Sequence, residues 1–477
     1  MLFPTLSFGL FFLVVFTIVW AANGSNEWRK ILLLVASWVF YGAWDWRFVA
    51  LLIGSALLIG SALLNWGAAG AIWLQREGPA GRRKAIMILG VAGNLLILGY
   101  FKYYGFFVEQ LGDLLRTAGF ERDLPLMQVV LPVGISFFTF QGMSYLADVY
   151  AERLAPARLL DVTLLMSFFP HLVAGPIVRG SDLLPQFAES PRLTRDMASI
   201  GLVLIVWGLF KKAVVASELS TGLVDPVFFD PAAHSRLDLI AAAYGYAVQI
   251  YCDFSAYSDM AIGIAALLGY RFPLNFNQPY RAASLQDFWR RWHISLSSWL
   301  RDYLYIGALG GNRKGFVRQC VNLLTTMLLG GLWHGAKWTF VIWGGLHGGV
   351  LALERIWDRI RPDWLPRLPR ALGILITFHV VLVGWIFFRS ESFDAAIAYL
   401  RGIGIAGGAS EVLTPLACAL IVFGFVIHFT PADLGQRLAL RLRLLPAWAL
   451  GLLAGATILI VDTMRFEGVA PFIYYQF

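Results

Sequence analysis

Apolar residues dominate this chain in long blocks separated by short polar stretches. Residues 1–26 carry no ionised side chain, and neither do 48–75. A membrane span needs about 20 mostly apolar residues, so both stretches are long enough. Read the same way, the pattern predicts spans near 5–22, 30–45, 47–75, 84–107, 129–150, 160–178, 198–217, 238–268, 318–334, 338–356, 370–388, 411–429 and 446–463. The 160–178 block differs, because Pro170, His171, Gly175 and Pro176 interrupt it. Non-helical backbone at that depth survives only under cover of protein or a water cavity, so this block is expected to line an interior cavity. The first block lacks the basic residues that precede the apolar core of a signal peptide, and it reads as a retained span. The pattern predicts an all-α polytopic integral membrane protein. It forms one membrane-embedded domain over 1–477, with its motif-rich core at about 129–357. No internal repeat stands out, which disfavours a repeat-built transporter.

Composition strengthens this reading. Of 477 residues, 58% are apolar and only 14% charged, against about 25% charged in a soluble domain. Cys252, Cys320 and Cys418 lie in apolar runs with no metal-ligand spacing, so they read as small buried hydrophobes. The net charge of +8 sits in loops. It is explained by the excess of Lys and Arg on cytoplasmic loops, without any nucleic acid. Arg29 and Lys30, then Arg76, Arg82, Arg83 and Lys84, mark two such loops, which leaves the N-terminus outside. The 281–318 stretch holds seven basic residues against Asp287 and Asp302 and is also assigned to the cytoplasmic side. Arg355, Arg359, Arg361, Arg367 and Arg370 place the next basic loop there too. Segments 318–334 and 338–356 are therefore expected to form a hairpin rising from that face, with His334 at or near its turn.

Between the spans, 285–306 has its own pattern. Leu285, Phe288, Trp289, Trp292, Leu296, Trp299, Leu300, Tyr303 and Leu304 recur at three-and-four spacing, interrupted by Arg290, Arg291 and Arg301. That predicts one basic amphipathic helix with interfacial aromatics.

Ionisable groups at membrane depth are costly and default to functional hypotheses. His334 lies between Trp333 and Gly335, with Gly330 and Gly331 a turn back. An imidazole kept neutral in a dry site could accept a proton from a hydroxyl; it could equally be a packing histidine. His293 follows Arg290 and Arg291, whose charge would favour its neutral form; the alternative is a histidine beside lipid headgroups. His171 and His347, in glycine-rich surroundings, are weaker candidates, and His379 and His428 read as satisfied interior histidines. Asp253 and Asp259 sit mid-span with Tyr251, Ser255, Tyr257 and Ser258. Each must be paired, protonated or wet. They could orient a histidine, pair with Arg271, Arg281 or Arg290, or fix helix register. Asn275 and Asn277, between Pro273 and Pro279, suggest a polar non-helical bend at a cavity wall. No phosphate loop, serine-hydrolase elbow or paired-histidine metal motif is present in the sequence, so no metal is expected.

Six stretches carry a resemblance. They are Pro132-Val-Gly-Ile-Ser-Phe-Phe-Thr-Phe-Gln, Phe169-Pro-His-Leu-Val-Ala-Gly-Pro-Ile, Asp253-Phe-Ser-Ala-Tyr-Ser-Asp-Met-Ala-Ile-Gly, Phe288-Trp-Arg-Arg-Trp-His-Ile-Ser-Leu-Ser, Gly331-Leu-Trp-His-Gly and the terminal Phe472-Ile-Tyr-Tyr-Gln-Phe. With them the chain resembles the membrane-bound O-acyltransferase (MBOAT) family, in the branch that includes the membrane subunit of alginate O-acetylation (AlgI-like). The resemblance implies a ring of about 11–13 tilted transmembrane helices with re-entrant and interfacial segments around a central tunnel. It implies that His334 matches the family's invariant histidine and His293 its second polar position. It further implies an O-acyltransferase of the bacterial inner membrane, with no bound cofactor. An acyl group, acetyl from acetyl-CoA, would be taken from the cytoplasm for O-acetylation of an exopolysaccharide such as alginate, aided by a periplasmic acetyltransferase partner. On that expectation Arg290, Arg291, Arg313 and Lys314 would contact the donor's phosphates, though topology signals would look the same. Cellulose acetylation or D-alanyl transfer to teichoic acid fits the same motifs. A transporter or flippase with a His/Asp proton relay is the alternative of another class.

Overall fold

The computed structural model describes all residues except 1–2, 22–24, 44–56, 121–131, 133, 173, 367, 406 and 465–477. The terminal motif at 472–477, Val133 and Val173 of two others, and part of the 47–75 and 129–150 blocks therefore lie outside the described residues. Among the described residues there are helices and loops and no strand. Among the described residues three helices are long and apolar enough to cross a membrane: Ala80–Thr117, Arg195–Phe229 and Arg370–Arg389. Pro415–Phe429 and Leu434–Leu442 make a fourth if their 84° bend belongs to one span. The thirteen apolar blocks thus become fewer uninterrupted spans, because several are short or broken helices.

The chain divides into two compact units. The first, 1–193 with 268–272, holds α1 (Leu6–Ala21), α2 (Asn26–Gly42), α3 (Leu57–Leu74), α4 (Ala80–Thr117), α5 (Ile135–Tyr150), α6 (Leu159–Ser167), α7 (Phe169–Leu172) and α8 (Gly180–Ala188). Helices α3, α4 and α5 pack on one another. Asn65 and Asn94, both fully buried, exchange amide hydrogen bonds at 3.1 and 3.0 Å, and Gly142 lets α5 approach Asn65. Such amide pairs and small residues hold helices together where lipid offers no hydrophobic drive. The 160–178 block is broken at Phe168, as its prolines and glycine require, and Ser37 Oγ accepts the Phe169 N–H at 3.1 Å. A buried break in a helix needs such a partner. Large apolar side chains on α1, such as Leu6, Leu10 and Leu13, remain exposed, as a lipid-facing surface requires.

The second unit, 194–267 with 273–477, holds α9 (Arg195–Phe229), α10 (Arg236–Leu267), α11 (Leu285–Trp289), α12 (Ile294–Trp299), α13 (Phe316–His334), α14 (Trp338–Ile360), α15 (Arg370–Arg389), α16 (Phe393–Ile405), α17 (Pro415–Val426), α18 (Leu434–Leu442) and α19 (Ala447–Thr463). Helix α9 carries π-helical turns at Lys211–Ala216 and Ser220–Val224. It crosses α10 where Gly201 meets Gly263 and Gly208 meets the Ala256 carbonyl. The α13–α14 hairpin is the most extensive helix pairing. A Cβ on Gly331 would lie 2.1 Å from the Phe340 carbonyl, one on Gly344 2.3 Å from the Met327 carbonyl, and one on Gly348 2.9 Å from Leu324 Cα.

One expectation is overturned here. The 285–306 stretch is not a single interfacial helix. It is α11, a break over 290–293, α12 and a π-helical segment Leu300–Ala308. Phe288, Trp289, Trp292 and Trp299 are buried in the unit rather than interfacial. A straight helix would also gather these four rings within about 100° of arc; what the break adds is the backbone turn at His293, whose φ is 41°. Glu354 of α14 anchors the start of α11, its carboxylate accepting the Leu285 and Gln286 N–H groups at 2.5 and 3.2 Å.

Because backbone atoms face Gly331 and Gly344, Gly331→Ala and Gly344→Ala should each destabilise the protein by about 1–3 kcal/mol or more. Gly349, with open space around it, should accept Ala with no loss, since Ala is the better helix former. Thermal unfolding of the purified variants in detergent checks this; equal stability of all three would refute the close-crossing account.

Candidate active site

The site is built on the break at 290–293 and the end of α13. His293 stands between the two short helices, outside the long spanning ones, with φ of 41° in the left-handed region. A non-glycine residue held there is strained and marks positions over-determined by their surroundings. The surroundings are the 273–278 bend. Ile294 N–H donates to the Asn275 carbonyl at 2.8 Å, and Asn277 N–H to the Arg291 carbonyl at 2.9 Å. Asn275 Oδ1 accepts from the Ser295 N–H at 3.1 Å and Ser295 Oγ at 2.8 Å, while its Nδ2 donates to Ser258 Oγ at 2.9 Å. Ser295 Oγ is also 3.5 Å from His293 Nδ1. A polar chain therefore runs from His293 through Ser295 and Asn275 to Ser258 on α10. Burial pushes the pKa of His293 down to about 3 and keeps it neutral. The neighbouring arginines, invoked from sequence, are not the cause: Arg291 is turned to Asp287 at 2.9 Å, and Arg290 is exposed.

His334 is the last residue of α13 and is buried against rings. Trp333, Trp343 and Phe388 lie 5.0, 5.1 and 5.2 Å away between centroids. Trp343 meets it edge-on at 85°. From Trp343 the rings continue to Trp385 at 6.1 Å, Trp292 at 4.9 Å, Phe276 at 5.1 Å and His293 at 6.0 Å. The two histidines, 41 residues apart in sequence, thus stand at the two ends of one aromatic wall.

The two aspartates have partners that sequence reasoning missed. Asp253 pairs with Lys212 at 2.8 Å and Asp259 with Lys211 at 2.7 Å, and all four side chains are largely buried. Lys211 also donates to Ser255 Oγ at 2.6 Å. Neither carboxylate takes Arg271, Arg281 or Arg290 as its ion-pair partner. Two adjacent lysines turning inward together is a consequence of the π-helical turn that starts at Lys211, a device frequent at functional sites. The sequence signal was there: a Lys-Lys pair at the end of a long uncharged run. Lys211, Tyr251, Ser255, Asp259, Asn277 and Gln278 form the polar side of a cavity of about 770 Å³ whose other walls are apolar. His293 is not among the lining residues; its ring lies 6.0 Å from that of Phe276, which is.

The remaining candidates are dispersed. Arg313 and Lys314 are exposed in the loop before α13. His428 stacks on Tyr251 and Tyr280 at 4.2 and 4.8 Å and bonds the Gly424 carbonyl through Nδ1 alone, so it is only half satisfied. His379 is exposed, not interior, and bonds Tyr244 and the Leu375 carbonyl. Cys252 is buried, Cys320 half-buried and Cys418 exposed, all as free thiols. Among the described residues no group of three His, Cys, Asp or Glu side chains could hold a metal ion.

The sequence profile of the membrane-bound O-acyltransferase family matches residues 123–393, more than half of the chain. The chain belongs to this family. Its membrane O-acyltransferase match contains both histidines, both aspartates and the 273–278 bend, and leaves α17–α19 beyond it. The chain is 43% identical over 397 residues to "Probable alginate O-acetylase AlgI" of Pseudomonas putida, covering 83% of this chain and 79% of that protein. It is 37% identical to the peptidoglycan O-acetyltransferase of Helicobacter pylori, covering 79% and 74%. It is 28% identical to the teichoic acid D-alanyltransferase of Bacillus subtilis, covering 55% and 69%. The chain is a polytopic membrane enzyme that transfers acyl groups to oxygen.

Breaking the buried Lys212–Asp253 pair should be costly in this enzyme. Asp253→Ala or Lys212→Ala is expected to lower stability by about 3–5 kcal/mol, and replacing both with apolar residues of similar volume should recover most of it. Unfolding midpoints in detergent test this; a double variant no better than the singles would contradict it.

Proposed function

We propose that this enzyme takes acetyl from a cytoplasmic thioester, acetyl-CoA, and delivers it for O-acetylation of a secreted polysaccharide such as alginate. The observation that carries this reading is the pair of relatives that share most of the chain, both named for O-acetylation of a cell-envelope or secreted polysaccharide. The D-alanyl-transferring relative shares only 55% of it, so D-alanine is the less favoured donor group.

In this mechanism His334 is the general base. It takes a proton from the acceptor hydroxyl. The hydroxyl oxygen then bonds to the thioester carbonyl carbon, the carbon–sulfur bond breaks, and the proton leaves with the thiolate as free thiol. His293 assists at the far end of the aromatic wall. The Ser295–Asn275–Ser258 chain fixes its orientation and offers a route for a proton. The cations exposed near this stretch, Arg290, Arg313 and Lys314, with the half-exposed Arg291, attract the donor's phosphates. Arg suits that contact through its planar fork of donors. Asp253 and Asp259 act through Lys212 and Lys211, fixing α9 on α10 beneath the 273–278 bend. The protein lies in the inner membrane with its N-terminus outside, and a periplasmic partner protein completes delivery to the polymer.

Polymer acetylation in cells tests the assignment. His334→Ala, at normal membrane levels, should abolish it, and His293→Ala should reduce it at least tenfold, in line with the loss of a proton-transfer group. Unchanged acetyl content in the His334 variant would sink the mechanism. Reversing charge at Arg313 and Lys314 should raise the KM for acetyl-CoA in purified enzyme without lowering kcat; an unchanged KM would remove these two from the donor site.

A further inference from the structure

Three rings beside His334 have unused hydrogen-bonding capacity. Trp289 of α11, Trp343 of α14 and His347 one turn after it touch one another pairwise: Trp343 and His347 at 4.7 Å, Trp289 and His347 at 5.4 Å, Trp289 and Trp343 at 5.7 Å. All three are buried, His347 completely. Trp289 Nε1, Trp343 Nε1, His347 Nδ1 and His347 Nε2 have no hydrogen-bond partner among the described residues. Buried polar atoms are overwhelmingly paired, and leaving one unpaired costs about 1–3 kcal/mol. Four such nitrogens in one small region would be an expensive way to pack a core that phenylalanines could fill. Trp385, which stacks on Trp343, is not like this: its Nε1 donates to the Tyr280 hydroxyl at 3.2 Å. Gly384 of α15 lets the imidazole and Trp343 pack against that helix, since a Cβ there would lie 2.9 Å from His347 Nε2 and 3.3 Å from Trp343 Cδ1.

An indole N–H can only donate, so whatever meets the two tryptophans presents an acceptor atom. The rings adjoin His334 through Trp343, 5.1 Å from it between centroids, close to the hydroxyl that His334 would activate. We propose that Trp289, Trp343 and His347 form the subsite that holds the acyl carbonyl oxygen. As the hydroxyl oxygen bonds to the carbonyl carbon, that oxygen takes on negative charge, and the two indole N–H groups stabilise it. The charge returns to form the new ester carbonyl when the carbon–sulfur bond breaks and the thiolate leaves with the proton from His334. Donors already in place in a dry site are worth far more than in water. This rests on the thioester-donor reading given above.

The test uses purified full-length enzyme in lipid nanodiscs, acetyl-CoA as donor, an alginate oligosaccharide as the acceptor hydroxyl and release of free thiol as readout. Trp289→Phe and Trp343→Phe keep an aromatic ring and remove the N–H. Each should lower kcat by about 100-fold, the loss typical of one such donor, with KM unchanged. Replacing Trp343 with benzothienylalanine, which exchanges the N–H for sulfur at nearly constant shape, should do the same while leaving the unfolding midpoint unchanged. Wild-type kcat in the benzothienyl enzyme overturns the proposal, as does a loss of folding in that enzyme, which would make the ring structural. If the wild type releases thiol, His334→Ala does not and the tryptophan variants do so at full rate, the subsite alone is wrong. Absence of thiol release by the wild type itself would sink the acetyl-CoA reading and the subsite with it.

Discussion

The close crossing of α13 and α14 is the constraint on which the rest of the site depends. Gly331, Gly344 and Gly348 bring two backbones within van der Waals contact, and only that approach puts His334, at the end of one helix, edge-on to Trp343 at the start of the other. The same crossing carries His347 inward and positions Glu354 to cap α11. In a membrane, where apolar side chains gain little by leaving lipid, contact between backbones and satisfied polar groups replaces the hydrophobic drive. The hairpin shows both devices within one pair of helices.

A second constraint works through charge. Lys211 and Lys212 are sequence neighbours that would point about 100° apart in an ordinary α-helix. In the π-helical turn both reach α10, to Asp259 and Asp253. Each buried ion pair is of doubtful net benefit to stability, but a mispaired one is very costly. The pairs therefore specify how α9 seats on α10 more than they strengthen the fold. That seating holds Ser258 and Ser255 where the 273–278 bend and the cavity wall need them.

Much of this was legible in the chain. The uncharged blocks identified a polytopic membrane protein, and the prolines at 170 and 176 located a real break. The asparagines between Pro273 and Pro279 marked a non-helical polar bend. His293 and His334 stood out because a titratable ring amid tryptophans and glycines has few structural excuses. What failed was the 285–306 stretch. Three-and-four spacing of its aromatics is the pattern of one helix, and the structure breaks it at a residue with positive φ. Periodicity reports which residues are apolar. It does not report where the backbone between them turns.

The sequence by itself determined the solvent this protein lives in, its helical class, its family motifs and the residues capable of proton transfer. These follow from composition and local order, because lipid burial and helix formation are properties of short segments. Tertiary structure alone decided partnership: that the aspartates belong to lysines, that one wall of rings joins His293 to His334, and that Trp289, Trp343 and His347 meet with their nitrogens unspent. Those facts depend on which backbones approach within a few ångströms. The approach is set by glycines and buried pairs acting across dozens to more than a hundred residues, beyond the reach of any local pattern.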